Sequence, residues 1–139
     1  MHERTLTLMK LAYASSAFAR AIDLGGCTQI EFVELCARTI ACDGVVLDVA
    51  QFPRLDDDYL AQIRKMATDL GLDIAAIADA SFFTSDDAAM QRSLAIVRAL
   101  GARLLAAPLT AETSLSWSEQ RDRLASATSL AKAANVTLA

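Results

Sequence analysis

Leu70-Gly71-Leu72-Asp73-Ile74-Ala75-Ala76-Ile77-Ala78-Asp79 is the stretch on which the fold turns. Before it, Tyr59, Leu60, Ile63, Met66, Ala67 and Leu70 recur at the spacing of one helical face,. Gly71 then stands where a left-handed residue closes a helix. A short apolar run follows at once, and Asp79 ends it. Helix, turn and strand therefore succeed one another with no linker. Upstream, Asp56-Asp57-Asp58 opens the same helix, with carboxylates at the positive end of its dipole,. Downstream the pattern repeats. Ser85-Asp86-Asp87 opens a helix with the stripe Met90, Leu94, Val97 and Leu100, Gly101 closes it, and Leu104 to Ala107 is the next strand.

Extended to the whole chain, the pattern predicts five strands, at Leu6 to Tyr13, Val45 to Val49, Ile74 to Ala78, Leu104 to Ala107 and Val136 to Ala139. Their starts fall roughly 30 to 40 residues apart, the length of βαβ units, which build parallel sheets. Thr28-Gln29-Ile30-Glu31 and Ser116-Trp117-Ser118-Glu119 match the capping box and predict the starts of the first and fourth helices,. Asn135 does before the last strand what the two glycines do before theirs. No Pro-rich or Ser-rich linker, charge block or low-complexity tract divides the chain, so residues 1–139 are expected to form a single domain with no internal boundary,.

The chain has 139 residues, 54% of them apolar and 22% charged, which supports a real core and excludes disorder and coiled coil,. The longest apolar run, Leu104 to Leu109, is far short of a membrane span, and Lys10 interrupts the apolar stretch near the N-terminus,. Neither a membrane segment nor a signal peptide is expected. A net charge of -4 with no Lys/Arg cluster argues against nucleic acid as a partner,. Cys27, Cys36 and Cys42 form neither a CxxC knuckle nor an even-numbered disulfide framework, and a reducing cytoplasm is the compartment this suggests,. With His2 the single histidine, the chain cannot build a Ser-His-Asp triad or a multi-histidine zinc site by itself,.

Five parallel strands with four helices suit two architectures. One is the first part of a (β/α)8 barrel, and the other is a small doubly wound, flavodoxin-like sheet. In the second, Asp79 falls where receiver domains carry a phosphorylated aspartate. Tyr13-Ala14-Ser15-Ser16 supplies none of the acids a receiver needs after strand one, and Gly25-Gly26 is not the GxGxxG of a dinucleotide fold,.

Four stretches, Phe18-Ala19-Arg20-Ala21-Ile22-Asp23, Glu31-Phe32-Val33-Glu34-Leu35-Cys36-Ala37, Asp43-Gly44-Val45-Val46-Leu47-Asp48 and Ala134-Asn135-Val136-Thr137-Leu138-Ala139, resemble the sugar phosphate isomerase/epimerase family, the xylose isomerase-like TIM barrels. The resemblance runs in register with the βα units over nearly the whole chain. It implies a parallel (βα)4β unit, the N-terminal half of a barrel, and a family reaction that isomerises or epimerises a sugar, sugar phosphate or polyol. It also implies a divalent metal, Mn²⁺, Mg²⁺, Co²⁺ or Zn²⁺, whose carboxylate and histidine ligands lie on later strands, beyond Ala139. No metal site and no catalytic residue is therefore expected within this chain. One departure stands in strand two, where relatives often read Gly-Val-Glu-Leu and this chain has Gly44-Val45-Val46-Leu47.

What remains for this half is substrate walls and rim groups on the loops after strands. The expected substrate-binding residues are Phe18, Asp48, Asp79 and Trp117, with Ser15, Ser16, Gln51, Ser81, Phe82 and Thr110 beside them. Each also has a plain structural reading, since a strand-end Asp satisfies loop N–H groups and loop aromatics pack. Cys27, just before a helix start, is open to some thiolate character from the helix dipole. A half-barrel exposes an inner face and two edge strands, so a homo-oligomer is expected.

Overall fold

The computed structural model describes residues 9–109 and 114–139. Five strands pair in parallel within one sheet: β1 (Ala12–Ala14), β2 (Gly44–Asp48), β3 (Asp73–Ala78), β4 (Leu104–Ala106) and β5 (Thr137–Leu138). The helices between them are α1 (Ala19–Asp23), α2 (Gln29–Leu35), α3 (Asp57–Asp69), α4 (Asp87–Ala99) and α5 (Trp117–Ala133). A π-helical turn, Cys36–Ile40, prolongs α2.

The sheet order is β1-β2-β3-β4-β5, so each strand lies beside its successor in sequence. Right-handed crossovers that always advance in one direction put their helices on one face of the sheet. A doubly wound sheet instead reverses direction at a switch point. The order selects the half-barrel and rejects the flavodoxin-like alternative.

The core lies between sheet and helices. Val45, Leu47, Ile77 and Leu105 on the strands and Phe32, Val33, Ile63 and Val97 on the helices are fully buried in one cluster. Each such side chain contributes about 1.5–3 kcal/mol by leaving water. Of the residues of the opposite parity, Val46, Ala78, Leu104 and Ala106 are only half-buried, while the small Ala76 is buried. The sheet thus has a sealed helix face and an open inner face. On β2, the apolar Val46 occupies that open face.

The helix starts follow the local chemistry. Thr28 Oγ1 accepts the Glu31 N–H at 3.1 Å while Glu31 accepts the Thr28 N–H at 2.7 Å, and Ser116 and Glu119 reciprocate in the same way. Asp56 caps α3 and Asp86 caps α4. Gly71, Gly101 and Asn135 all take positive φ at helix ends.

Several boundaries differ from expectation: β3 begins at Asp73, β4 ends at Ala106 and β5 spans Thr137–Leu138. The first strand is described only over Ala12–Ala14, and Leu6 to Leu8 fall outside the described residues. Leu11 already bonds to the approach of β2: its N–H donates to the Asp43 carboxylate at 2.7 Å and its carbonyl accepts the Asp43 and Gly44 N–H groups. The short helix α1 was not anticipated, and with α2 it accounts for the long first interval between strands. Val49 belongs to a 3-10 turn and not to β2.

Candidate site at the C-terminal strand ends

The first three strands each lead into a 3-10 turn, at Ser15–Phe18, Val49–Gln51 and Phe82–Thr84. These turns, the residues leading into them and the start of α5 carry all the expected site residues that the structure describes; Thr110 lies outside the described residues.

Ser15 and Asp48 join the first two strand ends. Ser15 is fully buried, and its Oγ accepts the Asp48 N–H at 3.0 Å. Asp48 Oδ1 accepts the Ala50 N–H at 2.9 Å and so caps its own turn. Since Val45 and Leu47 face the helices, strand alternation puts Asp48 on the inner face with Val46. Gln51 follows, with a buried Oε1 that has no hydrogen-bond partner among the described residues. Phe18 is half-buried, its ring centroid 5.5 Å from the buried Phe32 and 6.0 Å from the exposed Tyr13. Phe18, Asp48 and Gln51 therefore belong to two adjoining strand ends held together through Ser15.

Asp79 behaves differently. Only 5% exposed, it accepts the Ser81 N–H at 3.0 Å and the Ser81 hydroxyl at 2.8 Å on Oδ1, and the Ser93 hydroxyl at 2.7 Å on Oδ2. Ser93 lies on α4, so the carboxylate is turned toward the helix layer, on the side of Ile77. It borders a groove of about 390 Å³ lined by Leu60, Ser85, Arg92 and Ile96 among others. The two strand-end aspartates thus point to opposite sides of the sheet. Phe82 is fully buried, with its ring 5.3 Å from Phe83, and serves packing. Trp117, the first residue of α5, is 81% exposed and makes no ring contact among the described residues. Ser15 and Gln51, minor candidates in the sequence, carry more of this rim than their residue types suggested; only knowledge of burial separates them from ordinary loop polar groups.

The Cys27 thiol is pushed up, first by burial and then by the Glu31 carboxylate, and it donates to the Thr28 carbonyl at 3.4 Å. The capping Glu31 opposes the helix dipole at this position, which corrects the expectation of thiolate character. Among the described residues no three His, Cys, Asp or Glu side chains gather into a group able to hold a metal ion. Asp48 and Asp79, facing opposite sides, do not fit such a site. No helix among the described residues is long and apolar enough to cross a membrane.

These features define half of an α/β barrel with its strand-end rim exposed. The chain is similar in fold to a D-psicose 3-epimerase solved in the presence of D-fructose, with a TM-score of 0.66 and 17% identity over 94% of this chain and 51% of that one. It is similar also to the D-psicose 3-epimerase of Clostridium cellulolyticum H10 with D-tagatose, with a TM-score of 0.67 and 13% identity over 94% and 51%. A sugar phosphate isomerase/epimerase from Parabacteroides distasonis ATCC 8503 matches with a TM-score of 0.61 and 10% identity over 99% and 52%. The chain spans about half the length of the structures it matches. No family model and no curated protein matches the sequence.

Proposed function

We propose that this chain is the N-terminal half of a sugar isomerase/epimerase-type barrel and forms one wall of a sugar site. The observation that carries this reading is the match of 94% of the chain to half of a D-psicose 3-epimerase. In this reading the sugar lies over the inner face at the C-terminal strand ends, where barrel enzymes place their substrates. Asp48 and the unpartnered Gln51 Oε1 accept its hydroxyls, and Phe18 offers an apolar face to its C–H groups. Trp117 stacks over it from the outer rim. Asp79 acts through the Ser81 turn that it holds. Acceptors at this rim suit the hydroxyls of a neutral ketose and repel a phosphate. Proton transfer and the ligands for a divalent metal, whether Mn, Mg, Co or Zn, belong outside this chain, and no catalytic residue is assigned within it.

The 139 residues act as one domain, and on their own they cover the open inner face of the sheet with a second copy, giving a homodimer. The free cysteines suit a reducing cytoplasm,. The test is titration with D-fructose and D-tagatose, followed by Trp117 emission and by backbone amide NMR. Saturable shifts confined to Ser15–Phe18, Asp48–Gln51 and the start of α5 are expected, and Asp48→Ala should weaken them at least tenfold. Absence of saturable shifts, or shifts centred on the Gly71 and Gly101 turns at the opposite rim, would overturn the reading.

A further inference from the structure

Cys36 and Cys42, six residues apart, read in the sequence as unconnected thiols. The π-helical turn changes that relation. Cys36 opens the turn and is fully buried. Ala41, in the left-handed conformation at φ 54°, reverses the chain just before Cys42. The Cys36 carbonyl then accepts the N–H groups of both Ala41 and Cys42, the latter at 3.2 Å. Cys42 Sγ lies 3.6 Å from the same carbonyl and 3.2 Å from the Gly44 carbonyl. The Cys42 thiol is thus packed directly against the Cys36 backbone. A backbone hydrogen bond between the same two residues keeps their Cα atoms near the separation of roughly 4.4–6.8 Å that a disulfide spans. Cys27 stands apart at the other end of α2, its thiol on the Thr28 carbonyl.

We propose that Cys36 and Cys42 are a modification site, an oxidisable thiol pair that closes into an intramolecular disulfide on reaction with a low-molecular-weight disulfide such as oxidised glutathione. Cys42 is the entry thiol, because it is partly exposed whereas Cys36 is sealed in the core. Burial, and then the neighbouring Cys42, push the Cys36 thiol up to about 12, so Cys36 is not the thiol that reacts first. In the first step the Cys42 thiolate attacks one sulfur of the reagent, forming a mixed disulfide and releasing one glutathione thiolate. The Cys36 thiol then attacks the Cys42 sulfur, its proton passing to the departing glutathione thiolate, so that the Cys36–Cys42 bond forms and the second glutathione leaves as a thiol. Two thiols are oxidised by two electrons, and the reagent disulfide is reduced to two thiols. The product staples the π-helical end of α2 to the start of β2, at the rim opposite the strand-end site.

The experiment is incubation of the 139-residue chain with oxidised glutathione, alkylation of the remaining thiols, intact mass and peptide mapping. A product lighter by two hydrogens, with Cys36 linked to Cys42 and Cys27 alkylated, is expected. Cys27→Ala should behave the same way, and Cys36→Ser should trap a stable glutathione adduct on Cys42. Because Cys36→Ser removes a core thiol, Cys42→Ser gives an independent check and should leave Cys36 reduced under native conditions. Full alkylation of all three cysteines, a link through Cys27, or a disulfide formed only after denaturation would overturn the proposal.

Discussion

At Ser15 one hydroxyl ties two strands together. Its Oγ takes the Asp48 N–H within a fully buried environment, and alanine there leaves that donor without its acceptor. Ser15→Ala should cost about 1–3 kcal/mol in denaturant unfolding, the penalty of an unsatisfied polar group; a loss of only a few tenths would show that the bond does not matter. Glu31 makes the pH argument. Its hydrogen bonds from the Thr28 backbone, and then from the Thr28 side chain, hold its carboxyl below the ordinary value of 4.5. A carboxyl depressed in the folded state contributes stability that is present above its unfolded value and lost as pH falls through its folded value. Stability should therefore decline below pH 4.5, and Glu31→Gln should flatten that part of an acid titration; an unchanged acid slope would remove the capping box from the account. Such caps were legible in the sequence because a hydroxyl and an acid three residues apart meet within one helical turn. The direction of Asp79 was not. It depends on β3 parity, which the bulge at Ala75, between the pairs Val45–Ile74 and Val46–Ala76, shifts by one residue. The spacing of Ile74 and Ile77, which breaks strict alternation, was the one local sign of it.

Among the elements, β2 and β3 approach closely at Gly44. A Cβ on Gly44 would sit 2.7 Å from the Asp73 carbonyl oxygen, a backbone atom that cannot move without parting the strands. Gly44→Ala should cost about 1–3 kcal/mol, the usual penalty of overpacking, and should speed amide exchange along both strands; a thermal midpoint like that of the unsubstituted chain would contradict it. That role lay hidden in the sequence, where Gly44 reads only as the edge of an apolar run. The helices α3 and α4 were readable from their stripes and caps, and α5 from its capping box. Neither α1 nor the π-helical turn was, since α1 has just five residues and a π turn has no periodic pattern of its own,.

On the scale of the molecule, the βα alternation was legible but the choice between barrel and open sheet was not, because both architectures share the same local units. Strand order settles it, and strand order is a non-local property. Its consequence is an inner face whose Val46, Ala78, Leu104 and Ala106 are half-buried while the helix face is sealed. The matched epimerase structures are about twice as long as this chain. Exposed apolar patches larger than several hundred Å² drive association, and a two-fold arrangement of inner faces is the simplest closure. Sedimentation velocity of the 139-residue chain across the micromolar range tests this most directly. A half-barrel should sediment as a species of twice the 14.9 kDa chain mass, dissociated by Val46→Asp and Ala78→Asp together. A soluble 14.9 kDa monomer at every concentration would contradict it.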